Sequence, residues 1–85
     1  MIRQAVTIQT EEGIGARVTA KIVQIANEFN SRVFIEIGTK TINAKSIMGM
    51  MSLQLSTGDN LTVVAEGTDE TEAVEKMKEL LVLGE

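Results

Sequence analysis

The chain alternates before it turns helical. In residues 2–9, Ile2, Val6 and Ile8 share one face, while Arg3, Ala5, Thr7 and Gln9 take the other. This period of two predicts a half-buried strand. Glu11-Glu12-Gly13-Ile14-Gly15 reads as a loop. From Ala16 the spacing lengthens: Val18, Ile22, Ile25, Ala26 and Phe29 recur at three- and four-residue intervals, which predicts a helix ending near Asn27. Val33, Ile35 and Ile37 restore the alternation. Gly38-Thr39 fits a two-residue hairpin with glycine in the first central position, and Lys40–Asn43 is its short return strand. Residues 47–53 are apolar and short, and predict a helix of two turns. Ser56–Asn60 is a turn, and Leu61–Glu66 is a strand rich in β-branched residues. Asp69 followed by Glu72 predicts a variant capping box. Glu70, Glu72 and Glu75 suit the positive start of the helix that follows. Ala73, Val74, Met77, Leu80 and Leu81 supply its apolar stripe.

The predicted order is β-α-β-β-α-β-α. Strands with one apolar face each point to an antiparallel sheet covered on one side by helices, an α+β arrangement. Eighty-five residues suit a single domain over 1–85.

Composition removes whole classes of chemistry. Cysteine and histidine are both absent. That excludes thiolate nucleophiles, disulfides, thiolate or imidazole metal sites, and a histidine phosphoryl carrier. No cofactor or metal is expected. No apolar run reaches the roughly 20 residues of a membrane span, and Met1-Ile2-Arg3-Gln4-Ala5 does not read as a signal peptide. A cytoplasmic protein without membrane association is expected. The formal net charge is −4 and unevenly spread. Residues 13–58 carry five cations against Glu28 and Glu36, whereas residues 59–85 carry eight acids against Lys76 and Lys78. With Phe29 and Phe34 as the only aromatics and no basic cluster, direct nucleic-acid binding is disfavoured.

Few positions carry candidate chemistry. Gly13-Ile14-Gly15 fails as a phosphate loop, because Val18 stands where a third glycine would be needed. Asn60-Leu61-Thr62 matches a glycosylation sequon, but nothing directs the chain to secretion. Ser46 precedes Ile47-Met48-Gly49-Met50-Met51 and suits an N-cap. It reads either as a structural cap or as a phosphorylation site. Ile47, Met48 and Met51 are either core filling or an adaptable binding patch. Arg17 stands in the first turn of the predicted helix, where a cation opposes the helix dipole. It is either an ordinary exposed arginine or the contact for an external anion.

The segment Asn43-Ala44-Lys45-Ser46-Ile47-Met48-Gly49-Met50-Met51-Ser52-Leu53 closely resembles the regulatory serine site of HPr proteins, the small phosphocarriers of the bacterial sugar phosphotransferase system. Ala65-Glu66-Gly67 with Asp69-Glu70 and Glu72-Ala73 resembles the family's fourth strand and last helix, and Gly13-Ile14-x-Ala16-Arg17 its active-site loop. The resemblance covers nearly the whole chain. It implies an open-faced β-sandwich of four antiparallel strands under three helices.

The departures are as informative. The family's phosphorylated histidine falls at Gly15, and its proline after the arginine at Val18. Glycine has no atom to accept a phosphoryl group, so the chain looks like the histidine-free, Crh-type branch of the family. That likeness implies a regulatory protein of carbon catabolite repression and not an enzyme. Ser46 would be phosphorylated by the ATP-dependent HPr kinase/phosphorylase. The product would bind catabolite control protein A, a LacI-type repressor, as its corepressor. Arg17, Ala20, Lys21, Gln24, Ile47, Met48 and Met51 would make the contact, the first four sharing a helix face by their spacing. Either a monomer or a strand-swapped homodimer is implied. The rival readings are a divergent phosphocarrier and an adaptor that is never modified.

Overall fold

The structure is a computed structural model that describes residues 1–11 and 13–84. Glu12, within the predicted first loop, lies outside the described residues. Strand β1 (Ile2–Thr7) leads to helix α1 (Ala16–Ala26), strands β2 (Arg32–Ile37) and β3 (Lys40–Asn43), helix α2 (Ile47–Met51), strand β4 (Asn60–Glu66) and helix α3 (Glu70–Leu83). The strands form one antiparallel sheet in the order β1-β4-β2-β3. Strand β4, with Leu61, Val63, Val64 and Ala65 buried, is central, flanked by β1 and β2.

The alternation determines which side of the sheet is covered. Val6, Val33, Ile35, Leu61, Val63 and Ala65 are buried together with Ile22, Val23 and Ala26 of α1 and Ala73, Val74, Met77, Leu80 and Leu81 of α3. Side chains of opposite parity line the open face, where Arg3 of β1 reaches across β4 to pair with Glu36 of β2. The β2–β3 connection is the expected two-residue turn. Gly38 has φ 59°, and Thr39 needs no positive φ, as glycine in the first central position of such a hairpin requires.

Three expectations change. The α2 helix ends at Met51, not at 53. The chain must open there, because Leu55 is buried and forms a bridge with Ile14, whose N–H donates to the Leu55 carbonyl at 2.9 Å. Strand β1 stops at Thr7, although Ile8 still donates to the Asp59 carbonyl and accepts from Gly58 N–H.

The third change concerns Asp69. It precedes α3 as predicted, but its carboxylate makes no cap bond to that helix. It accepts instead from Asn30 N–H and Ser31 N–H, each at 2.9 Å, and from the Ser31 hydroxyl. Glu72 is exposed and plays no capping part, while Glu70 accepts from Gly67 N–H at 3.1 Å. Hydrogen bonds from Ser31 and then from the Asn30 backbone hold the Asp69 carboxyl below its ordinary range. Asp69 thus fastens the start of α3 to the α1–β2 junction. Gly67 lets the two segments close: its φ is 153°, and a Cβ there would stand 2.6 Å from Ser31 Cα.

Candidate functional site

The candidate residues lie on two helices packed side by side. On α1, Thr19, Ile22, Val23 and Ala26 turn inward. Arg17, Ala20, Lys21 and Gln24 are all exposed, so the predicted shared face is open. Thr19 is buried without penalty, because its hydroxyl donates to the Gly15 carbonyl at 2.9 Å. Gly15 is the N-cap of α1, with φ −83° and ψ 179°, a conformation open to any residue. A Cβ at Gly15 would meet nothing within 4 Å. The position offers room for a side chain and supplies none.

Ser46 is the N-cap of α2, and its Oγ accepts from Gly49 N–H at 3.1 Å. The residue is half-buried. A cap of this kind stabilises a protein by about 1 kcal/mol. The segment before it is tied to the end of α1. Asn27 donates through Nδ2 to the Lys45 carbonyl at 3.2 Å and to the Val23 carbonyl at 2.8 Å. Lys45 Nζ donates to the Phe29 carbonyl at 2.8 Å. These ties set the direction of α2. Its start lies by the C-terminal end of α1, and its end lies by the start of α1. There Met51 and Leu53 line a shallow depression of about 240 Å³ with Ile14, Ala16 and Thr19.

Methionines 48, 50 and 51 divide between the two readings the sequence left open. Met50 is 1% exposed and belongs to the core. Ile47, Met48 and Met51 are 44%, 83% and 43% exposed and form an apolar surface. The structure joins this surface to α1 at Met51, which lines the depression with Ala16 and Thr19. It does not bring Arg17 to Ser46. Arg17 is in the first turn of α1 and Ser46 lies beyond the last, so an eleven-residue helix of about 16 Å separates them. Arg17 and Gly15 belong to the Met51 end of the surface, and Ser46 to the other.

Sequence reasoning missed Gly49. The sequence assigns it no role, yet a Cβ there would stand 3.1 Å from Ile42 Cγ2 and 3.2 Å from Ser46 Oγ. Nothing in the local sequence announces this, since Ile42 comes from β3.

Known proteins share this arrangement. The PTS-HPr model, described as the PTS HPr component phosphorylation site, matches residues 2–82. The HPr-like protein Crh of Bacillus subtilis is 51% identical over 77 residues, 91% of each chain. Among solved structures, the phosphocarrier protein HPr of Bacillus anthracis superposes with a TM-score of 0.88 at 42% identity, covering 94% of this chain and 95% of that one. A crystal structure of Bacillus subtilis Crh, described as a swapped dimer, gives a TM-score of 0.74 at 48% identity, covering 95% and 93%. The superposition and a match running almost end to end agree: this chain belongs to the HPr family, as a member of the Crh type.

Proposed function

We propose that this chain is a regulatory protein of carbon catabolite repression, switched by phosphorylation of Ser46. HPr kinase/phosphorylase is the modifying enzyme, and catabolite control protein A is the repressor that binds the product. One observation carries the reading. A serine hydroxyl heads a helix that exposes Ile47, Met48 and Met51, in a sequence without any histidine.

A phosphate on Ser46 adds about −1.5 to −2 charges near pH 7. It adds them beside an adaptable apolar patch and on the more basic part of the sequence. A repressor surface with basic groups around an apolar pocket would accept both features together. Arg17, Ala20, Lys21 and Gln24 extend the contact along α1, with Arg17 engaging the partner at the Met51 end and not the phosphate itself. The chain is a kinase substrate in this reading and acts in the cytoplasm. Exchange of β1 between two copies gives a dimer as an alternative assembly; the Crh relative forms a swapped dimer. Against histidine phosphotransfer stand Gly15, which has space but no acceptor atom, and the absence of histidine from the rest of the sequence.

Intact-mass spectrometry tests the reading. The chain is incubated with HPr kinase/phosphorylase and ATP, and separately with phosphoenolpyruvate and the first phosphotransferase enzyme. One phosphate from ATP, mapped to Ser46 and absent in Ser46→Ala, is expected. Transfer from phosphoenolpyruvate, or no label from ATP, would overturn it.

A further inference from the structure

The serine that receives the phosphate is flanked by a residue with no side chain. Gly49 N–H donates to Ser46 Oγ, so the hydroxyl is held as an acceptor and keeps its own proton to give away. The missing Cβ of Gly49 would sit 3.2 Å from that oxygen and 3.5 Å from Ser46 Cβ. It would also sit 3.1 Å from Ile42 Cγ2 on β3. A methyl at this point is therefore wedged. It cannot withdraw from Ser46 without pressing on β3, and it cannot spare β3 without pressing on the nucleophile. Ser46 Oγ is the easier atom to displace, since serine turns freely about χ1 whereas β-branched Ile42 is stiff there.

We infer that Gly49 is a positioning residue for phosphorylation of Ser46, keeping the flank of the hydroxyl open and its orientation fixed. The inference rests on the Ser46 reading above. In the reaction, Ser46 Oγ forms a bond to the γ-phosphorus of ATP. The bond from that phosphorus to the β–γ bridging oxygen breaks, and ADP leaves with the electron pair. The hydroxyl proton passes to a base of the kinase. Both the approach to Oγ and the release of its proton depend on the direction in which Gly49 N–H holds it.

The backbone at Gly49 is helical, and its φ is not in the left-handed region. Alanine is therefore conformationally acceptable, and it favours a helix more than glycine does. That gain opposes the loss of the cap, so the variant is expected to stay folded. The position separates a role in folding from a role in the reaction.

The test measures steady-state phosphorylation by HPr kinase/phosphorylase for wild type, Gly49→Ala and Gly49→Ala/Ile42→Ala, with thermal unfolding of each. Gly49→Ala should lower kcat by about tenfold or more through misplacement of the nucleophile. KM should hardly change, because Ile47, Met48 and Met51 still face outward. Removing Ile42 Cγ2 lets the alanine methyl retreat, so the double variant should recover part of the lost kcat although it is less stable. A labelled wild type with an equally labelled Gly49→Ala variant would overturn this inference alone. So would a Gly49→Ala loss that accompanies unfolding, or one that appears wholly in KM. An unlabelled wild type would overturn the Ser46 reading and this inference with it.

Discussion

Helices α3 and α2 are both rich in leucine, isoleucine, valine or methionine, and they use these side chains in opposite ways. In α3, five residues from Ala73 to Leu81 are buried against the sheet. In α2, Met50 alone is buried, while Ile47, Met48 and Met51 face out. The ends of the two helices differ as well. Asp69, at the start of α3, spends its carboxylate on a distant segment and fastens the fold. Ser46, at the start of α2, closes a local bond with Gly49 and leaves the fold little dependent on it. One helix holds the sheet together. The other is carried by the fold as a surface, and a modification there changes what the protein presents without dismantling it.

The contrast predicts a graded set of effects. Leu80→Ala, at a position 1% exposed, should cost about 2–5 kcal/mol by urea unfolding, because it loses burial and leaves a cavity. A cost comparable to a surface change would mean that α3 does not anchor the core.

Ser31→Ala should come next. It removes the hydroxyl hydrogen bond that is the main cause holding the Asp69 carboxyl below its ordinary range. A carboxyl whose pKa falls on folding contributes stability above its unfolded pKa, and that contribution is lost as pH falls through the folded value. Wild type should therefore exceed the variant most at neutral pH. The difference should narrow on acidification from the ordinary aspartate range downward. Glu70, lowered chiefly by the Gly67 backbone bond, titrates alike in both proteins. Urea midpoints at pH 7 and pH 3 check this, and a gap independent of pH would remove Asp69 from the account.

Met48→Ala should have the smallest effect on stability, within about 0.5 kcal/mol for so exposed a side chain. It should nevertheless weaken repressor binding. Large destabilisation with unchanged binding would reverse the assignment of α2.

Much of this division was legible in the sequence. Period-two and helical spacing placed the strands and helices, and the apolar stripe of α3 named its buried residues correctly. The segment around Ser46 carried the resemblance to the HPr family. What escaped was set by neighbours remote in sequence. Asp69-x-x-Glu72 has the spacing of a local cap, yet Asp69 is claimed by Ser31, thirty-eight residues away. The two-turn estimate for α2 failed because Leu55 is needed opposite Ile14. The methionines could not be sorted by periodicity in so short a helix; packing on β3 and α1 decided that Met50 turns inward. Gly49 meets its close neighbour Ile42 only through the fold.

The central claim is that phosphorylation of Ser46 turns the α1–α2 surface into a repressor ligand. The most direct measurement titrates catabolite control protein A with the unmodified chain and with the Ser46-phosphorylated chain at one fixed salt concentration. Hydrogen bonds to a charged group are worth about 1.5–3 kcal/mol, so the phosphorylated form should bind roughly tenfold tighter or more. Equal affinities of the two forms would contradict the claim.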